Sequence, residues 1–206
     1  MNGVILVTGF EPYGAYPANP SMEVAKVLEG RRVGGATVRS AVLPVHHAEA
    51  ARRVAALLVE HAPGAVVHLG LAPGRARVAL ERVAVNCMDF ELADAAGHVA
   101  RGEPCLPGGP AAYFSTLPLA PILAALVAEG IPAYVSNTAG TYLCNLTLYT
   151  TLHRLAPAPR PVPAGFVHLP LSPVMVAAVG QELPSLDIGL AVRAVEIALG
   201  VVAAGL

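Results

Sequence analysis

The amino-acid sequence predicts an α/β domain whose central sheet is covered by helices on both faces. Short, continuous apolar runs such as Val4 to Thr8 and Ala65 to Gly70 have the pattern of strands buried on both sides. Between them lie stretches with apolar residues at helical spacing, and the alternation of strand and helix is the signature of this architecture. The length of 206 residues suits one substantial core, so residues 1–206 are read as a single domain.

Taken in order, Val4 to Thr8 is a strand ending in Gly9, and a loop rich in Gly, Pro and aromatics follows. Asn19-Pro20-Ser21 opens a helix reaching about Glu29, since an Asn cap followed by Pro suits a first turn. Thr37 to Leu43 is a strand stopped by Pro44. His46 to His61 is a helix with its apolar face at Val54, Ala55, Leu57, Leu58 and Val59, closed by Pro63-Gly64. Ala65 to Gly70 is the second buried strand, and Val78 to Asn86 alternates as a further one. From Cys87 to Leu117 no periodicity survives, which predicts a lid, a binding loop or a mobile segment. Leu119 to Glu129 is helical, Ala133 to Asn137 is a strand, and Leu143 to Arg154 is helical again. Pro157 to Pro163 is a connector, Ala164 to Leu169 the last core strand, and Ile188 to Ala203 the closing helix.

Composition excludes several functions. The chain is 55% apolar and 13% charged, which rules out disorder. Its most apolar stretch, Gly189 to Leu206, is interrupted by Arg193 and Glu196, so no spanning helix is expected. A net charge of −1 without a basic run removes the basis for nucleic-acid binding. The one lysine, Lys26, sits among helix formers and matches neither a phosphate-loop nor a Schiff-base lysine. The N-terminus lacks the basic opening and cleavage site of a secretory signal, so a cytoplasmic location is expected. Cys87, Cys105 and Cys144 form no CxxC pair and predict neither a disulfide framework nor a zinc knuckle. His46 and His47 are adjacent and face different directions on a helix, with no carboxylate or cysteine at ligand spacing; no metal site is expected there.

Ligands of open α/β sheets collect beyond the carboxyl ends of the strands, which singles out three side chains. Cys144 follows a strand and a turn at the start of a helix, where backbone N–H groups and the helix dipole favour a thiolate. His168 ends the last strand before Pro170 and is the natural base for such a thiol. Glu81 is a carboxylate within an apolar strand, where an unpaired charge is costly, and a histidine N–H would both satisfy it and orient the ring. Arg82, next to it, points to the opposite face. Each of the three also has an ordinary structural explanation when taken alone; their conjunction is what points to nucleophilic catalysis.

Four blocks together resemble the pyroglutamyl peptidase type I family, also called pyrrolidone carboxyl peptidase. They are Gly9-Phe10-Glu11-Pro12-Tyr13-Gly14 with Asn19-Pro20-Ser21; Gly74-Arg75 with Glu81 to Asn86; Asn137 to Asn145; and His168-Leu169-Pro170. They occur in that family's order and span nearly the whole chain. The resemblance implies a three-layer α/β/α sandwich with a mixed, mostly parallel sheet, no cofactor or metal, and a homotetramer. It implies removal of N-terminal pyroglutamate from peptides, with Cys144 as nucleophile, His168 as base and acid, and Glu81 as the orienting carboxylate. The Cys144 backbone N–H would help hold the oxyanion. Phe10, Tyr13, Tyr16 and Tyr142, with Leu143, would form the substrate site; the Leu71 backbone would receive the lactam N–H, and Asn19 would fix the loop or the ring.

Two departures stand out. Tyr13 and Tyr16 occupy positions where the family often has phenylalanine, and Phe90-Glu91 lies where members commonly carry an arginine near the oxyanion site. Glu91 would oppose developing negative charge unless Arg75 or backbone donors compensate. A weakly active or non-catalytic pyroglutamate-binding protein and a nucleoside phosphorylase-like enzyme are the alternatives left open.

Overall fold

In the computed structural model, which describes residues 3–206, the chain forms eleven strands and six helices among the described residues. The first half contains β1 (Val4–Phe10), α1 (Pro20–Leu28), β2 (Arg32–Val33), β3 (Ala36–Leu43), α2 (His47–His61), β4 (Ala65–Leu71), β5 (Val78–Glu81), β6 (Val83–Val85) and β7 (Met88–Asp89). The second contains β8 (Arg101–Glu103), β9 (Ala112–Phe114), α3 (Leu119–Ala128), β10 (Ala133–Ser136), α4 (Leu143–Leu155), β11 (Ala164–Leu169), α5 (Pro173–Val179) and α6 (Ile188–Ala203). Seven strands make the main sheet in the order β10-β5-β11-β4-β1-β3-β2. Its pairs are parallel except β5 with β11 and β2 with β3, so the sheet is mixed and mostly parallel, as expected.

Alternation along β1 explains the layers. Ile5 and Val7 enter a core with Val24 and Leu28 of α1, Ile122 and Leu126 of α3, and Val195 and Leu199 of α6. Leu6 points the other way, into a core with Val54 and Leu57 of α2 and Leu146 and Leu152 of α4. Helices thus cover both faces, and each apolar run is buried because both of its sides are. No helix among the described residues is long and apolar enough to cross a membrane.

The structure departs from the sequence expectations in three places. Val78 to Asn86 is two strands in different sheets. At Arg82 the backbone N–H donates to Ser136 O at 2.8 Å while its carbonyl accepts from Ser115 N–H at 2.8 Å, so the chain changes partners there. Apolar residues lie on both sides of the break in sequence, and period alone does not detect it. The segment from Cys87 to Leu117 is not structureless: β7 pairs with β8, and β9 pairs with β6, in ladders too short to produce a pattern. The short elements β2 and α5 have no counterpart in the expected elements for the same reason.

The entry to α1 is tight. The Asn19 side chain accepts from Ser21 N–H at 3.1 Å and Ser21 Oγ at 2.7 Å, and it donates to Glu11 O at 3.0 Å, capping the helix and holding the preceding loop. Ser21 Oγ in turn accepts from Phe10 N–H at 3.0 Å. A Cβ on Gly9 would lie 2.2 Å from Ser21 O, because the helix start rests directly on β1. Gly9→Ala is therefore expected to lower stability by about 1–3 kcal/mol, the usual range for forced overpacking. Chemical denaturation would show it as a lower midpoint; an unchanged midpoint would refute the tight packing.

Candidate active site

β11 lies between β4 and β5, and its register assembles the candidate residues. His168 stands opposite Gly70 of β4 and Ala79 of β5, and Phe166 stands opposite Glu81. Register partners share a face, as do residues two apart, so Glu81, Phe166, His168 and the Gly70 position all face one way. Glu81 is diagonal to His168, within reach of long side chains, and His168 Nδ1 lies 2.7 Å from Glu81 Oε1. A Cβ on Gly70 would lie 2.9 Å from Cys144 Sγ and 2.7 Å from the Phe166 ring. The sulfur therefore occupies the space a side chain at position 70 would fill, beside His168 on the same face.

Polar staples hold the helix that carries the sulfur. Cys144 is the second residue of α4, where the backbone N–H has no intrahelical acceptor. The next residue, Asn145, is fully buried; its amide donates to Val85 O at 2.9 Å and Cys87 O at 3.0 Å, and its carbonyl accepts from Val85 N–H at 2.8 Å. Two turns on, Thr151 is hydrogen-bonded to His68 Nε2 at 2.8 Å, and His68 Nδ1 pairs with Thr8 at 2.7 Å. Burial depresses the His68 pKa to about 3, so this ring is a neutral strut between α4 and the sheet.

Electrostatics assign the protons. Burial pushes the Glu81 carboxyl up, but His168, the neighbouring Ser136 hydroxyl and Arg75 outweigh it and hold the group below the ordinary carboxylate range. Arg75 Nη1 donates to the same Oε1 at 2.7 Å, while Oε2 has no hydrogen-bond partner among the described residues. An ionised Glu81 can only accept, so Nδ1 of His168 carries the hydrogen and Nε2 has a free lone pair. Burial depresses the His168 pKa despite the pull of Glu81, and Arg75 adds to the depression.

The Cys144 thiol departs from expectation. Its pKa is pushed up to about 12, first by burial and then by the charge of Glu81; Arg75 and the helix-start N–H only partly oppose this. The thiolate expected from the helix position alone is therefore not the resting form. At rest the pair is thiol and neutral imidazole. His168 has its side-chain hydrogen bond to Glu81 and none to the sulfur among the described residues, so proton transfer requires the two to approach.

A small cavity reaches this sulfur. It is lined by Phe10, Tyr13, Asn19, Val45, Leu71, Tyr142, Leu143 and Cys144. The Tyr13 and Tyr142 rings are 6.1 Å apart, and Tyr142 is steadied by Phe90 at 4.7 Å and by donation from its hydroxyl to Ala93 O at 3.3 Å. Tyr16 is not on the lining; it backs Tyr13 edge-on at 6.3 Å. Val45 was not among the expected lining residues, because nothing local distinguishes it from a core valine. Glu91 is exposed on an adjoining groove with Asp89, Leu92 and Thr141, outside this cavity. The charges acting on the thiol are those of Glu81 and Arg75. Cys105 donates to Val85 O at 3.5 Å and its pKa is raised to about 11 by burial, consistent with a structural thiol.

Fold and site together define an α/β protein with a thiol on the wall of an aromatic-lined cavity and a bonded imidazole and carboxylate on the neighbouring sheet face. Residues 3–204 match the pyroglutamyl peptidase family model, and the chain belongs to that family. It is 42% identical to the pyrrolidone-carboxylate peptidase of Pyrococcus furiosus, covering 96% of each chain, and 47% identical to that of Deinococcus radiodurans, covering 88% of this chain and 84% of that one. It is also similar to the crystallised pyrrolidone carboxyl peptidase of P. furiosus: one point mutant superposes with a TM-score of 0.93 at 42% identity, covering 96% of this chain and 97% of the other.

Gly70→Ala places a methyl group 2.9 Å from the sulfur and 2.7 Å from the Phe166 ring, so one or both must shift. It is expected to reduce activity on a pyroglutamyl substrate by at least about 100-fold, the loss typical of a 1 Å misplacement, while circular dichroism stays native. Undiminished turnover would show that Cys144 Sγ does not need this space.

Proposed function

We propose that this protein removes an N-terminal pyroglutamyl residue from peptides, with Cys144 as nucleophile, His168 as general base and acid, and Glu81 as the carboxylate that orients the ring. The observation that carries the proposal is the small apolar cavity that Cys144 helps to line, next to the sheet face that bears the bonded His168 and Glu81. Pyroglutamate is a flat lactam without an amino charge, and such a ring suits apolar plates with few polar groups. Phe10, Tyr13 and Tyr142 provide the plates; Leu71 and Leu143 border the ring; Asn19 fixes the loop that carries Tyr13.

With the lactam in place, Cys144 gives its proton to His168 Nε2 as the sulfur attacks the pyroglutamyl carbonyl carbon. Coupling the two events removes the need for a standing thiolate, in keeping with the raised thiol pKa. Glu81 accepts the Nδ1 hydrogen and stabilises the imidazolium. The oxyanion faces the free N–H at the start of α4. Collapse breaks the C–N bond, and the departing amine takes the proton from His168. A water deprotonated by the same ring then cleaves the thioester, releasing pyroglutamate and restoring the thiol. Homotetrameric assembly comes with the family resemblance and forms part of the same proposal.

Hydrolysis of a fluorogenic pyroglutamyl amide, with the prolyl amide uncut, is the expected result. Cys144→Ser is expected to reduce it by at least about 1000-fold with the fold intact. Binding of pyroglutamate without cleavage by the unmodified protein would overturn the catalytic assignment. Because His168 has a pKa below its ordinary 6.5, its base form persists as pH falls, and the acid limb of kcat/KM should have its midpoint below pH 6.5. Glu81 raises that pKa, so Glu81→Gln is expected to shift the limb further to acid and to lower kcat by about 100- to 10,000-fold. A limb that does not move would remove Glu81 from the mechanism.

A further inference from the structure

Behind the cavity wall, three imidazoles crowd one buried carboxylate. His46 is the cap residue of α2 and His47 its first residue. Adjacent residues within a helix diverge, but His46 has an extended backbone, so its ring stacks on that of His47 at 5.4 Å. Asp94 arrives from the connection between β7 and β8, 47 residues away in sequence, which is why spacing alone gave these histidines no carboxylate. Its side chain is fully buried, and the His98 ring packs on His47 at 4.2 Å.

Asp94 Oδ1 accepts the backbone N–H groups of Ala96 at 2.9 Å and His98 at 3.0 Å, and Oδ2 accepts the His47 backbone N–H at 2.9 Å. These three fixed donors orient the carboxylate and cap α2. The remaining position on Oδ2 faces His47 Nδ1 at 2.7 Å, with His46 Nδ1 at 4.0 Å. Capping accounts for the backbone bonds. It does not account for His46 Nδ1 and His98 Nε2, which are sheltered from solvent and have no hydrogen-bond partner among the described residues. Glu103 approaches the latter to 3.4 Å without completing a bond.

We propose that His46, His47 and Asp94 form a site for a divalent cation of the zinc class, bound through the two Nδ1 atoms and Oδ2. The three ligand atoms already lie within 4.8 Å of one another. Tetrahedral zinc with bonds of 2.0–2.1 Å sets neighbouring ligand atoms about 3.3 Å apart. The two separations from Asp94 Oδ2, 2.7 and 4.0 Å, bracket that value, so each of these contacts reaches it with a change of less than about 1 Å. The His47 proton moves from Nδ1 to Nε2 and the ring stays neutral. Two imidazoles and one carboxylate favour zinc over magnesium, which prefers all-oxygen octahedral sites. Backbone N–H groups of Ala96 and His98 supply the outer orientation such ligands require. The site does not depend on the peptidase chemistry.

The test uses the full chain, stripped with chelator and carrying Cys144→Ala so that the active-site thiol cannot compete. Calorimetric titration with zinc chloride is expected to show one equivalent bound, with no response to magnesium chloride. His46→Gln touches none of the Asp94 capping bonds and should weaken binding by at least about 10-fold, as should His46→Gln with His47→Gln. Zinc should raise the thermal midpoint of the parent but not of the double variant, and anomalous scattering should peak between His46, His47 and Asp94. Absence of stoichiometric uptake, equal response to magnesium, or uptake undiminished in both histidine variants would overturn the proposal; the last would place the zinc on other ligands, such as Cys87 and Cys105.

Discussion

A carboxylate buried inside a sheet must be met by donors, and the active-site region is arranged around that requirement. Glu81 is inaccessible to solvent, and leaving its charge unpaired would cost several kcal/mol. His168 and Arg75 both donate to it, and in doing so the imidazole is fixed in one tautomer with its other nitrogen turned toward chemistry. At Cys144 burial raises the thiol pKa, and the same negative charge adds to that shift. One group therefore orients the imidazole and helps to keep the thiol protonated. A protonated thiol is also poorly oxidised, so the resting sulfur is sheltered from the reactions that exposed thiolates undergo.

The second requirement is position. The chain is 55% apolar, and apolar packing alone tolerates small slides between layers. A few saturated polar side chains remove that freedom. Asn145 locks the start of α4 to β6, His68 ties its middle to β1 and β4, and Asn19 fixes the loop bearing Tyr13. Each is buried with its polar atoms paired, the condition under which such groups specify one geometry. Tyr142 is fixed likewise through Ala93, on the connection that Asp94 anchors to α2.

The core strands and long helices were legible because each has two buried faces or one, and period reports that directly. Cys144, His168 and Glu81 stood out because reactive groups at strand ends or in apolar runs need a reason to be there, and the contact between the last two is present in the fold. What escaped was set by contacts distant in sequence. Neither the partner change at Arg82 nor the pairing of β6 with β9 leaves a local pattern. The raised thiol pKa comes first from burial and then from a carboxylate distant in sequence, whereas the helix position pointed the other way. Val45 and Asp94 reach their places through tertiary packing, and Glu91 falls outside the cavity for the same reason.

Strand β11 is the last of the sheet in sequence, yet it fills the gap between β4 and β5. The contact it makes between His168 and Glu81 joins residues 87 apart along the chain. During synthesis from the N-terminus, Glu81 and Cys144 emerge first, and the sheet stays split until β11 has left the ribosome and threaded between its neighbours. The nascent chain thus carries the Cys144 thiol before the His168 imidazole can meet Glu81, and the arrangement of the three arrives only with completion of the fold.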